Sequence, residues 1–171
     1  PKPKPPAPKP TPTPTPTPVP PPPPPPQDFF VDSLPYQGLS HNNGPSIQTN
    51  PFSWVWQRPN GVSIGGTRYK RGVTVVAPSN TVIDLNRSCK LFTASVGIDD
   101  MTLGLGSAKF TVEDAATGAV LWRSPVIHGG DPAVPVSVPL GGVSAIKLVV
   151  HGSHGFIGGQ IADWADAGFT C

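Results

Sequence analysis

The feature that most constrains the fold is an alternation of apolar and polar residues with a period of two. In one segment the apolar positions are Phe92, Ala94, Val96 and Ile98, and in a second they are Val134, Val136, Val138 and Leu140. Successive side chains of a strand point to opposite faces, so this pattern is typical of strands with one buried face. From residue 29 onward no window carries apolar residues at the spacing of a long helix. The sequence therefore predicts an all-β fold.

Further short strands are predicted at 72–76, 81–85, 109–113, 120–123, 145–151 and 167–171. Turn signals separate the predicted strands, among them Pro59-Asn60-Gly61, Gly65-Gly66, Thr117-Gly118 and Gly141-Gly142. Strands at spacings near ten residues without intervening helices indicate an antiparallel sandwich or barrel. Pro135 and Pro139 cannot donate ladder hydrogen bonds, so the strand that holds them is predicted to lie at a sheet edge.

The first 28 residues have a different composition from the rest. Of the 26 prolines, 17 lie between Pro1 and Pro26, in Lys-Pro and Thr-Pro repeats and a run of seven prolines. Proline fixes φ and lacks an amide donor, so this tail is predicted to be disordered or polyproline II. We expect residues 1–28 to be a linker and residues 29–171 to be one domain. The tail is interpreted as a stiff spacer, with a ligand for proline-binding modules as the alternative.

The distribution of charged residues argues against nucleic acid as a partner. Residues 1–26 hold three of the 12 basic residues and no acid, so residues 27–171 have 12 − 3 = 9 basic against 10 acidic residues. A body with no cationic excess is not expected to bind nucleic acid.

No apolar stretch approaches the ~18 to 20 residues of a membrane span, so no membrane insertion is expected. The start within a proline tract suggests a piece of a longer protein with a domain upstream.

The two cysteines, Cys89 and Cys171, do not have the spacing of a zinc site. A disulfide between them is predicted, with two free thiols as the alternative. A disulfide would place the protein outside the cytosol, either secreted or at the surface of a cell.

Catalytic motifs are not found. The sequence lacks a nucleophile elbow, a phosphate-binding loop and a zinc-protease motif, and its one glutamate is Glu113. Two carboxylates of a glycosidase remain an alternative, drawn from Asp99 with Asp100 or from Asp163 with Asp166. Adjacent strand residues point to opposite faces, which disfavours the first pair.

The histidines and aromatic residues suggest binding sites. His151 and His154 are spaced to offer two nitrogens to a metal, but no third ligand is specified, so exposed surface positions are the preferred interpretation. Large rings serve as platforms for the apolar faces of sugars, and the body contains Trp54, Trp56, Tyr69, Trp122 and Trp164. In the run FSWVW (52–56), alternate rings share one face, which is interpreted either as core packing or as a platform borne on a loop.

Several segments resemble one known family when they are taken in order. They are FVDSLPY (30–36), NGP (43–45), YKRGV (69–73), APS (77–79), FTASVGIDD (92–100), GSAKF (106–110) and ADWADA (162–167). Together they resemble the NPCBM family, carbohydrate-binding module family 51, over residues 29–171. The resemblance implies a galactose-binding-like jelly-roll β-sandwich that binds galactose-type sugars without catalysis and carries a structural calcium ion. It also implies an accessory module of a bacterial-type extracellular protein, joined by a linker to a glycosidase, peptidase or receptor.

The resemblance and the aromatic pattern together predict the site. The expected glycan-binding residues are Trp54, Trp56, Tyr69, Arg71, Asp99, Asp100, His154, Asp163 and Trp164. Asp32 and Asp166 are the expected calcium ligands. Asp163 and Trp164 have alternative roles as a buried, hydrogen-bonded carboxyl and a core ring, and Arg71 has an alternative role as a solvated charge.

The sequence departs from the family pattern at positions that are usually polar. Val76, Gln160 and Ile161 stand where the family carries a histidine or an acidic, histidine-containing loop, and Asp32 is displaced by one position. These departures support a second hypothesis, that of a sensor or adhesion ectodomain of a receptor or kinase that has kept the fold and lost the sugar site.

Overall fold

The computed structural model describes residues 1–5, 20–38, 43–51, 54–152 and 160–171. These residues form strands and two short 3-10 turns, Val31–Ser33 and Asp100–Thr102. The strands are β1 Asp28–Phe30, β2 Ser46–Ile47, β3 Trp56–Arg58, β4 Val62–Ile64, β5 Thr67–Tyr69, β6 Gly72–Ala77, β7 Ser79–Asp84, β8 Leu91–Ile98, β9 Ser107–Asp114, β10 Val120–Arg123, β11 Ile127–His128, β12 Val134–Pro139, β13 Ala145–Gly152 and β14 Gln160–Thr170. The described part of the chain has no helix long and apolar enough to cross a membrane.

Two antiparallel sheets face each other. Sheet A has the order β12-β8-β14-β6-β3, with β1 also paired to β14. Sheet B has the order β10-β9-β13-β7-β2, with β11 also paired to β9. The prediction of an all-β sandwich is confirmed. Strand β12, which contains Pro135 and Pro139, lies at the edge of sheet A. This confirms the prediction, which rested on the missing backbone N–H of proline.

Aromatic rings join the two sheets at the centre of the core. Trp164 of β14 meets Phe110 of β9 edge to face, with ring centroids 5.4 Å apart. Phe92 of β8 lies 6.4 Å from Trp164 and 4.9 Å from Phe169. Such tilted pairs add to the burial of large apolar surface, so this cluster holds sheet A on sheet B.

A small hairpin covers the outer face of sheet A. Strands β4 and β5 form this hairpin, and its turn is Gly65-Gly66, where both residues have positive φ. Val62 and Ile64 pack on Ala165 of β14 in a second cluster. A side chain at Gly97 would overlap Ile64, so the glycine permits the hairpin to approach β8 closely.

Strand β14 is longer than the sequence indicates. The predicted closing strand covers 167–171, whereas β14 begins at Gln160 and contains an irregularity between Ala165 and Gly168. Asp166 lies in this irregularity with a φ of 46°. Because both faces of β14 are covered, by the core and by the hairpin, its residues do not alternate in hydrophobicity.

The two ends of the domain meet. The backbone N–H groups of Gln27 and Cys171 each donate to the other residue's carbonyl at 2.9 Å, two residues ahead of the predicted domain boundary at residue 29. Cys89 and Cys171 form a disulfide bond, which confirms that prediction. The end of β14 is thus held both to the segment before β1 and to the segment before β8.

Candidate functional site

A row of three side chains crosses the outer face of sheet A. Thr74 of β6 is paired in register with Trp56 of β3 on one side and with Asp163 of β14 on the other. Val73 and Val75, which alternate with Thr74, belong to the core between the sheets. The row therefore points away from that core, and it runs from a buried carboxyl to an exposed indole.

Hydrogen bonds connect this row to the turn after β8. The Thr74 hydroxyl donates to Asp163 Oδ1 at 2.6 Å. Arg58 Nη1 donates to Asp99 Oδ2 at 2.6 Å and to Thr74 Oγ1 at 3.3 Å. Asp99 Oδ1 also accepts from the backbone N–H of Met101 at 2.7 Å and so caps the 3-10 turn. These hydrogen bonds connect β3, β6, β14 and the turn that follows β8.

Arg58 also positions the exposed ring. Its Cζ lies 4.7 Å from the centroid of the Trp56 ring, within cation–π range. Trp56 is 49% exposed, so an indole that contacts Arg58 faces solvent on this surface. An exposed ring held in one orientation is suited to stacking against the apolar face of a sugar.

Burial is the main cause that raises the pKa of Asp163 to about 8. The charge of Asp99 raises this pKa further, while the Thr74 hydrogen bond and the Arg58 charge oppose the rise. Asp163 is fully buried, and its Oδ2 has no hydrogen-bond partner. At neutral pH the protonated form of Asp163 prevails, so the remaining charges of this cluster are the Arg58–Asp99 pair.

A second exposed indole lies beside a cleft. Trp54 is 65% exposed, and the cleft next to it has a volume of about 410 Å³. The other residues that line the cleft are Tyr36, Gln37, Gly38, Thr49 and Asn50. Trp54 and Trp56 are therefore not core residues, and the interpretation of the run 52–56 as core packing is wrong for both. Phe52 lies outside the described residues.

The remaining predicted sugar-binding residues take several different positions. Trp164 is buried at the centre of the core, so the prediction that it contacts a sugar is wrong and its alternative role as a core ring is confirmed. Asp99 and Asp163 are buried and support the surface from below. Asp100 accepts from Ser63 Oγ and from the Gly66 N–H, and so holds the hairpin.

Tyr69 is partly buried and packs against the hairpin cluster. His154 lies outside the described residues. Sequence reasoning missed Arg58 and Thr74, although each had a signal. Arg58 follows Trp56 by two residues and so shares its strand face, and Thr74 is the polar residue of an otherwise apolar strand.

The predicted calcium ligands lie near Arg71. Asp32 is buried in the first 3-10 turn, and neither of its carboxylate oxygens has a hydrogen-bond partner. Arg71 Nε lies 3.8 Å from Asp32 Oδ1, and Arg71 Cζ lies 4.1 Å from the centroid of the Phe30 ring. Burial raises the pKa of Asp32; Arg71 opposes the rise and the charge of Asp166 adds to it. Asp166 is exposed, and its N–H donates to the Arg71 carbonyl at 2.9 Å.

This donor set does not fit a calcium ion. Calcium takes six to eight oxygen ligands, drawn from carboxylates, backbone and amide carbonyls and water. Here the predicted ligands offer only the carboxylates of Asp32 and Asp166, and the Arg71 guanidinium already lies beside Asp32. In the parts of the chain that the structure describes, no group of three or more His, Cys, Asp or Glu side chains is arranged to hold a metal.

Comparison with known proteins agrees with this fold. The NPCBM/NEW2 domain family matches residues 27–170. A protein named "Putative endo-alpha-N-acetylgalactosaminidase" from Renibacterium salmoninarum is 31% identical over 147 residues, which are 85% of this chain and 10% of that protein. The chain thus spans about a tenth of the length of this curated relative.

Two of the solved structures with the same fold come from Clostridium perfringens. A family 51 carbohydrate-binding module from GH95, solved with methyl-galactose, has a TM-score of 0.66 at 22% identity, covering 84% of this chain and all of that one. The ZmpB M60 catalytic domain with its two family 51 modules also has a TM-score of 0.66, at 21% identity, covering 84% of this chain and 15% of that one. The sandwich has the fold of the family 51 carbohydrate-binding modules, and the chain belongs to the NPCBM/NEW2 family of non-catalytic carbohydrate-binding modules.

Proposed function

We propose that this module binds a neutral glycan of the galactose or N-acetylhexosamine type on the surface formed by Trp56 and Trp54. The observation that carries the proposal is the exposed Trp56 ring, held in place by Arg58, which is itself paired with the buried Asp99. A ring stacks on the C–H face of a pyranose, and the edge of a guanidinium donates to hydroxyl oxygens. Because Arg58 and Asp99 neutralise each other, this pair leaves no net charge for the ligand to balance, which is consistent with a neutral glycan.

The sugar class is proposed from relatives as well as from the surface. One related module was solved with methyl-galactose, and a ZmpB module from the same organism, 21% identical to this chain, was solved with GlcNAc. Methyl-galactoside, GalNAc and GlcNAc are therefore the first probes, together with oligosaccharides that end in these sugars.

A second candidate function rests on the apolar neighbours of Trp56. Val76 follows Thr74 by two residues on the same face of β6 and is 54% exposed, and its partner in register is Ile161. Neither side chain can form hydrogen bonds with hydroxyls. In this alternative the module is an adhesion or sensor ectodomain of a receptor or kinase whose sugar site has been lost.

The proposal includes an extracellular location and attachment to a larger protein. The disulfide supports an oxidising environment. The proline-rich segment 1–28 would act as a stiff tether between this module and a secreted hydrolase or a surface protein.

Glycan arrays followed by calorimetry test both candidates. For the wild-type module we expect millimolar to micromolar binding to at least one glycan of the proposed classes. Trp56→Ala is expected to weaken that binding at least tenfold, whereas Leu121→Ala, at an exposed apolar position on sheet B, should leave it unchanged. No binding by the wild-type module would favour the second candidate. Binding that survives Trp56→Ala would place the sugar elsewhere.

A further inference from the structure

We propose that the guanidinium of Arg71, which lies beside Asp32, takes the place of the calcium ion that this family implies. The module would then fold and keep its stability without calcium. The proposal concerns this chain's own residues and does not depend on which glycan is bound.

The position of Arg71 is constrained from three directions. Its guanidinium lies over the Phe30 ring and beside the Asp32 carboxylate. Its carbonyl accepts the N–H of Asp166, the residue with positive φ in the irregular part of β14. The next residue, Gly72, packs so closely on β14 that an added Cβ would lie 3.0 Å from the Trp164 carbonyl oxygen. The backbone of Arg71 is therefore held in place.

The charges explain why a fixed cation belongs there. Asp32 is buried in the 3-10 turn after β1, and the Arg71 guanidinium lies beside its carboxylate, with Nε 3.8 Å from Oδ1. An uncompensated carboxylate in a buried position is strongly unfavourable, and a permanently charged guanidinium offsets it. Calcium bound to Asp32 would lie within a few ångströms of this positive charge and would be repelled by it.

The neighbours of the Asp32 carboxylate leave both of its oxygens without a hydrogen bond. Arg71 reaches Oδ1 at an ion-pair distance of 3.8 Å, not at the distance of a hydrogen bond. Buried carboxylate oxygens without donors are also what a calcium ion would bind. The two interpretations differ in whether added calcium changes the stability of the protein.

The first experiment measures thermal unfolding of the wild-type module after treatment with EDTA, without calcium and with CaCl₂ at about 5 mM. We expect melting temperatures that agree within about 1 °C, with MgCl₂ as a control for ionic strength. A saturable rise of several degrees with calcium alone would overturn the proposal. This measurement needs no variant, so it stands even if the variants below fail to fold.

Substitutions at Arg71 then test whether its positive charge stabilises the folded module. Arg71→Met keeps an apolar stem over Phe30 and removes the charge, and it is expected to lower the melting temperature by at least 5 °C. Arg71→Lys should lose less than half as much. Arg123→Met, at an exposed position on sheet B, is the matched control and should change little. A melting temperature of Arg71→Met equal to that of the wild type would also overturn the proposal.

Discussion

Arg58 and Asp99 form an ion pair with an Nη1–Oδ2 distance of 2.6 Å, which joins the exposed strand β3 to the turn that follows β8. The Asp99 side chain is almost fully buried, whereas that of Arg58 is about one fifth exposed. The pair thus connects the interior of the domain to the surface that carries Trp56.

Removal of Arg58 is expected to destabilise the fold. Arg58→Ala removes the guanidinium that donates to the buried Asp99 carboxylate, and the lost charged hydrogen bond is worth about 2 kcal/mol. Arg58→Lys should recover part of this loss because it keeps the charge. Urea unfolding followed by tryptophan fluorescence measures both. Equal stability of Arg58→Ala and the wild type would show that the pair contributes nothing.

Stability is expected to fall as the pH rises from about 4 to about 8. The unfolded Asp163 loses its proton near pH 4, whereas the folded one keeps it up to about pH 8, so between these values the folded state binds more protons. The contribution is complete below pH 4 and is lost as the pH approaches 8, with a slope of up to ~1.4 kcal/mol per pH unit.

Asp163→Asn separates this effect from others. An asparagine side chain at this position does not titrate, so the slope of unfolding free energy against pH should become clearly smaller than in the wild type. Asp32 also has a raised pKa and contributes in the same direction, so some slope should remain. Urea midpoints at pH 5, 6, 7 and 8 give both slopes, and identical slopes would contradict the assignment to Asp163.

Glycan binding should depend on the ring at position 56 in a graded way. Trp56→Phe keeps a stacking face and is expected to retain measurable binding, while Trp56→Ala should lose at least tenfold, about 1.4 kcal/mol or more. Trp54→Ala tests whether the cleft at Trp54 belongs to the same surface. Calorimetry with the best glycan from the array measures all three, and equal affinities of the Trp56→Phe and Trp56→Ala variants would exclude stacking.

Loss of the disulfide is expected to lower stability without changing the fold. The bond closes a loop across 82 positions of sequence, and removal of such a cross-link costs about 2 to 4 kcal/mol. Thermal unfolding of Cys89→Ser/Cys171→Ser, compared with the oxidised wild type, measures the loss. Because the bond lies at the far end of β14 from Gln160, glycan affinity should not change at temperatures where the variant is folded.

The sequence predicts strands well where only one face is buried. Strands β8 and β12 alternate cleanly, and prolines mark β12 as an edge. It does not predict the start of β14, because the hairpin covers the second face of that strand and removes the alternation. The hairpin itself has only two short strands, and Gly65-Gly66 is its one clear signal.

Long-range pairings explain why sequence reasoning missed part of the site. Arg58 and Asp99 are 41 positions apart, and Thr74 and Asp163 are 89 positions apart. Nothing local in the sequence shows that these residues meet, because their proximity depends on the register of β3, β6 and β14. The motif around Asp163 and Trp164 is recognisable in the sequence. Because adjacent strand residues point to opposite faces, Trp164 lies in the core while Asp163 lies on the outer face of sheet A.

The pairing of β1 with β14 determines how a pull on the module would be carried. Strand β14 extends about 35 Å, from the Asp99 end of the sandwich to Thr170, and the chain enters beside its far end at Gln27. Under the proposed function, tension between a glycan bound on sheet A and segment 1–28 would run along β1 and load its hydrogen bonds to β14 in shear. The disulfide joins the same end of β14 covalently to Cys89, so this junction would resist such a load.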